Sequence, residues 1–165
     1  MVQPIVPYVT PPRPGTNRAP EVVVPEKWLK AWEATMPAYN FKQQFAADVA
    51  SGAKRQTIRA RGKRRAPKVG EILSLYTGMR QGGGACRLLG RHYCTSVEAI
   101  SISCRHQVVR LARPMPTGYG HYYAELSAEE VETLAQADGF PSSAAFFAFF
   151  AEQHGGSLDG YLIKW

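Results

Sequence analysis

Lys54, Thr57 and Asp138 are three residues whose types suit them to work together. A threonine hydroxyl is a poor nucleophile until a neighbouring base takes its proton. A lysine desolvated in a cleft can have a pKa low enough to be that base. The carboxylate of Asp138 would then orient the lysine, hold a substrate amine, or pass a proton to the leaving group. Deacylation of an exocyclic amide needs those roles and an oxyanion donor, for which Arg59 or a loop amide is a candidate. A purely structural alternative uses the same residues: Lys54 and Asp138 as an ion pair, Thr57 closing a turn, and Arg59 pinning the fold.

Charge points to the partner. The net charge is +7, and Lys54, Arg55, Arg59, Arg61, Lys63, Arg64, Arg65 and Lys68 crowd one stretch with no acid among them. Such a block is the footprint of a polyanion site, since each phosphate neutralised releases condensed counterions. Scattered basic residues would serve solubility alone. Phosphate contact is the expected role of Arg61, Lys63, Arg64 and Arg65. Tyr76 offers either a stacking ring or a half-core position, and Tyr119, His121, Tyr122 and Tyr123 form an aromatic loop that caps a ligand or covers an edge.

Other chemistries find less support. Cys86, Cys94 and Cys104 are three thiols without a Cys-x-x-Cys spacing, which argues against a disulfide framework and fits a reducing compartment. With His92 and His106 they match no common zinc module, so no metal or cofactor is expected. Gly82, Gly83 and Gly84 lack the companions of a phosphate-cradling loop. No apolar run approaches the roughly 20 residues that span a bilayer, and the first residues do not resemble a signal peptide. The expectation is a cytoplasmic protein without a membrane partner.

The elements that must position these residues follow from pattern. Residues 1–25 are rich in proline and read as an extended tail. Residues 26–37 read as a short helix or linker carrying Trp28, Leu29 and Trp32, and residues 38–165 as the domain. Phe41, Phe45 and Val49 recur every four residues and predict a helix stopped by Gly52. A turn over 67–70 precedes a β-run at 71–77, and further strands are predicted over 97–102 and 108–111. Ser127 with Glu130 three residues later is a capping box. That helix carries Val131, Leu134 and Ala135 and ends at Asp138-Gly139-Phe140. Ser142 or Ser143 opens another, whose Phe146, Phe147, Phe149 and Phe150 form a hydrophobic lid. A strand over 161–165 closes the chain.

The run Phe45-x-x-x-Val49-x-x-Gly52-x-Lys54-x-x-Thr57-Ile58-Arg59 resembles the signature of ASCH domains. So do the Val69-Gly70-Glu71 turn with its following strand, the Ala137-Asp138-Gly139-Phe140 segment, the aromatic helix and the closing strand. The resemblance covers residues 38–165 and looks closest to small ASCH proteins of phages and prophages, which often carry the Leu-Tyr-Thr-Gly-Met-Arg run found here from Leu75 to Arg80. It implies an α+β, mainly β fold: a PUA-like small β-barrel with helices packed at its ends. The superfamily typically binds RNA or modified bases. One branch looks like amidohydrolases of acetylcytidine, in which Lys54 and Thr57 match the motif lysine and threonine. Asp138 falls where that branch has Glu. Another branch is credited with ribonuclease activity.

Three functions follow as expectations. The first is a nucleic-acid or nucleotide-binding domain for RNA, single-stranded nucleic acid or a modified nucleoside, with Lys54, Thr57 and Arg59 in a basic cleft. The second is a hydrolase using Lys54, Thr57 and Asp138. The third is a phage protein that binds a host protein.

Overall fold

Phe45, Ala46 and Val49 stand on one face of helix α1 (Gln43–Ser51), and all three are buried. Gly52 ends it in the left-handed region, φ 79°, and its N–H donates to the Val49 carbonyl at 3.2 Å. Phe41 does not join this helix. It ends strand β1 (Ala38–Phe41), which runs parallel to β3 (Ile72–Thr77). There its carbonyl accepts a bond from Thr77 Oγ1 at 3.0 Å, and its ring meets Trp165 edge-on at 5.9 Å. Tertiary pairing outweighs the local helical period at that position. The computed structural model describes residues 36–165 apart from 80, 82 and 83. The proline-rich tail and the expected Trp28–Trp32 helix lie outside the described residues.

The strands form two sheets. In the first, β3 lies between β1 and β4 (Arg87–Tyr93). In the second the order is β2 (Gln56–Ala60), β8 (Ser157–Lys164), β5 (Ser96–Ser103), β6 (Val108–Pro114) and β7 (His121–Glu125), antiparallel throughout. The chain changes sheets at Cys94–Thr95: Cys94 N–H donates to the Glu71 carbonyl and Thr95 N–H to the Lys164 carbonyl, both at 2.8 Å.

The fold is α+β, but the expected β-barrel is not formed. Neither sheet closes: β1 and β4 remain edges of one, β2 and β7 edges of the other. Closure needs a continuous ladder around the ring, and β1 instead docks in parallel on β3. The segment expected to be an aromatic loop at His121–Tyr123 is also different. It is strand β7, paired along β6 from Arg110↔Glu125 to Pro114↔His121.

Helix α3 (Ser143–His154) packs on β8 of the larger sheet and against helix α2 (Ala128–Ala137), which meets β2 where Gln56 bonds the Leu134 carbonyl. The capping box at Ser127 is complete: its hydroxyl accepts from Glu130 N–H at 3.2 Å, and the Glu130 carboxylate accepts from Ser127 N–H at 2.7 Å. Phe146 at the heart of α3 is fully buried, with ring centroids of Phe140, Phe147 and Phe150 at 5.5, 5.4 and 4.8 Å. Such edge-on and tilted contacts add to the area term of each ring. Phe146→Ala is expected to lower stability by about 3–5 kcal/mol, as for other fully buried phenylalanines. Thermal melts measure it, and a loss below about 1 kcal/mol would remove the ring from the centre of the core.

Candidate functional site

Lys54 follows α1 directly, and its backbone N–H is tied to the Asp48 carbonyl at 3.0 Å. The side chain runs inward, only 2% exposed, with Nζ 5.2 Å from the Phe45 ring centroid. It ends at the C-terminus of α2, where the helix dipole favours a cation. There Nζ donates to the backbone carbonyl of Asp138 and lies 2.7 Å from Asp138 Oδ1. Among the described residues this buried oxygen has no partner other than the Lys54 ammonium.

The turn that presents Asp138 needs glycine next. Gly139 has φ 84°, and a Cβ there would meet Phe45 Cδ1 at 3.2 Å and Lys54 Cδ at 3.4 Å. A side chain would be both strained and crowded.

Burial governs the ionisation of the pair. It pushes the Asp138 carboxyl up to about 6, against the pull of Lys54 and then Arg59. It pushes the Lys54 ammonium down, while the Asp138 charge and hydrogen bond hold it up. Both groups are thus easier to neutralise here than in water.

Arg59 is half-buried on β2. It donates from Nη2 to the Asn40 carbonyl at 2.9 Å and lies over the Phe41 and Tyr39 rings at 4.8 and 5.4 Å. Its Nε is buried without a hydrogen-bond partner among the described residues, and burial lowers its pKa against the opposing charges of Asp138 and Tyr39. Thr57, 5% exposed, shares the β2 face of Arg59 and makes no hydrogen bond through its hydroxyl among the described residues. Gln56 on the opposite face donates from Nε2 to the Leu134 carbonyl at 3.2 Å.

The remaining cations divide by what they touch. Arg55 is exposed and folds back from Nε onto the Gly52 carbonyl at 3.1 Å. Arg65 is paired with Glu71 at 2.6 and 2.9 Å, which with the Lys68 N–H holds that carboxyl down at about 2. Arg61, Lys63, Arg64 and Lys68 are exposed and form no ion pair among the described residues. Tyr76 is half-buried on β3, beside the bulge opposite Leu88, with no ring stacked on it among the described residues.

Lys54 and Asp138 are therefore brought together, with the Arg59 charge acting on both, while the loop cations stand apart on the surface. Two open grooves lie instead on the far face of the larger sheet. One, of about 400 Å³, is lined by Arg61, Ser101, Arg110, Tyr123 and Asp159 among others. Its neighbour, of about 580 Å³, is lined by Ala99, Ala112, His121, Tyr123 and Tyr161 among others. Pairing along β6 puts His121, Tyr123 and Glu125 on one side of β7, and the only signal for this face in the sequence was the cluster of aromatic residues there.

Among the described residues no group of three His, Cys, Asp or Glu side chains is placed to hold a metal ion. No described helix is long and apolar enough to cross a membrane. No family model matches the chain, and no match was found with a curated protein or a solved structure.

The buried carboxyl sets a pH dependence. Its folded value of about 6 lies above the ordinary 3.8, so folding favours the protonated form. That contribution is whole below about pH 4 and is lost as pH rises through about 6. Denaturant melts of the wild type are expected to lose stability across that window relative to Asp138→Asn. Parallel profiles for the two proteins would contradict a desolvated carboxyl.

Proposed function

We propose that this chain is a nucleic-acid-binding module that grips phosphates through the segment between β2 and β3. The observation that carries the reading is the state of its cations: Arg61, Lys63, Arg64 and Lys68 are exposed and have no ion-pair partner among the described residues, and the intervening Arg65 is occupied by Glu71. A phosphate backbone is the polyanion whose closely spaced charges suit such a row, and its condensed counterions supply the entropy of binding. Arg61 at the end of β2 links the row to the sheet, its N–H bonded to the Asp159 carbonyl at 2.8 Å.

Mobility-shift titrations over a range of salt test this with Lys63→Ala/Arg64→Ala/Lys68→Ala. Loss of three phosphate contacts is expected to reduce the salt slope by about 2 on a single strand, at roughly 0.7 per contact. An unchanged slope and affinity would overturn the assignment of the loop.

The ionisation of the buried pair favours a second reading, hydrolysis of an acylated nucleoside or of RNA through Lys54, Thr57 and Asp138. A carboxyl near 6 beside a lysine of lowered pKa is suited to trading a proton around neutrality. On this reading, turnover of acetylcytidine or cleavage of RNA by the wild type is abolished in Thr57→Val, which keeps the side-chain shape. Absence of turnover in the wild type removes it.

A further inference from the structure

The open face of the larger sheet has an ordered composition. Strand alternation and the pairing register place residues in rows across it. One row reads Tyr161, Ala99 from β8 to β5 and continues with Ala112 opposite Tyr123 on β6 and β7, while Arg59, beside Tyr161 on β2, is covered by Tyr39 and Phe41. The next row reads Asp159, Ser101, Arg110, Glu125, with Arg61 beside Asp159. Two tyrosines thus stand at the sides of a floor made of alanines. They are separated by three interstrand spacings, about 14 Å.

We propose that this face is a stacking platform for the unpaired bases of a single-stranded nucleic acid, seated on Tyr123 and Tyr161 with the phosphates led to Arg61. The proposal rests on the nucleic-acid reading above and names the surface that would hold the bases. Four observations support it. Tyr123 is 52% exposed and is shared by both grooves, so its ring is available to a ligand. Ala99 and Ala112 keep the floor low enough for a planar group to reach the sheet. The Arg61 guanidinium lies 5.4 Å from the Tyr161 centroid, which extends the aromatic surface towards the basic segment. The groove volumes of about 400 and 580 Å³ fall in the range of small-ligand sites.

The polar row supplies direction. Asp159 repels phosphate and accepts hydrogen bonds, so it turns a base edge carrying amino groups towards the sheet and the backbone away. Arg110 is held by Glu125 at 2.9 Å in an exposed pair, weak enough to yield to phosphate. His121 sits two residues from Tyr123 on the same face and lines the second groove. A duplex hides its base faces within the stack and cannot use the exposed Tyr123 ring and the half-buried Tyr161 ring in this way.

Fluorescence anisotropy with labelled RNA and DNA single strands of about ten nucleotides, and with the matching duplex, tests the platform. Tyr123→Ala and Tyr161→Ala are each expected to weaken single-strand binding roughly 5- to 150-fold, the range of one lost base stack. The salt slope should stay unchanged, because no phosphate contact is removed. Tyr123→Phe, which keeps the ring face, should bind like the wild type. Binding that is unaffected by either alanine variant, or that is as tight for the duplex as for the single strand, overturns the platform and leaves the basic segment standing. If no nucleic acid binds the wild type at low salt, both the platform and the nucleic-acid reading fall.

Discussion

Strand β8 lies between β2 and β5, so the larger sheet exists only once the C-terminal residues have met a segment about a hundred positions upstream. Remove β8 and β2 is left without a neighbour among the described strands. The close approach of β2 depends on a missing side chain: a Cβ at Gly160 would sit 2.1 Å from the Arg59 carbonyl oxygen. The last residue adds to the closure, since Trp165 N–H donates to the Arg55 carbonyl at 3.0 Å while its ring packs on Phe41. Bringing such distant segments together costs loop entropy, which the buried rows of Leu158, Leu162, Ile163 and Ile100 must offset.

Once that sheet is formed, the buried pair has a structural task as well as a chemical one. Lys54 leaves α1 and reaches the last turn of α2, so one ammonium ties two helices that are far apart in sequence. Removing water from two charges is unfavourable, and burial accordingly pushes the Asp138 carboxyl up and the Lys54 ammonium down. The arrangement persists because the C-terminal carbonyls of α2 need a donor and Lys54 supplies one. A role in chemistry would require a substrate to reach side chains that are 2% and 4% exposed. A role in binding makes no such demand on them, and they can act by fixing β2 and the basic segment that leaves it.

Local signals were legible in the sequence wherever the deciding interaction is local. Ser127 and Glu130 cap α2 because their bonds span three residues. Gly52 ends α1 because it alone accepts the left-handed backbone there. The block from Lys54 to Lys68 could be read as a charge cluster, but Lys54 is buried and Arg65 is matched by Glu71, which no spacing reveals. Phe41 fitted a helical stripe and joined a strand because its partners, Thr77 and Trp165, are distant. Barrel closure failed for the same kind of reason: edge pairing is decided across the whole chain. Strand β7 showed little apolar alternation because it lies at an edge, with most of its residues exposed.

The two faces of the larger sheet differ in what their side chains can do. Ile100, Ile102, Val109, Leu111 and Leu162 are buried, so large side chains on that face fill the core beneath α2 and α3. One residue along each strand the pattern changes to Ala99, Ser101 and Ala112, types that contribute little to packing and leave space above the backbone. A sheet that needed cover on both faces would carry bulky apolar residues on each. At one end of this second face Ile163 is buried and Val97 half-buried, and beyond them its large side chains are Tyr161 beside Arg61 and Tyr123 on the edge strand. On the proposed platform, the alanines between Tyr161 and Tyr123 leave room for bases to lie against the sheet.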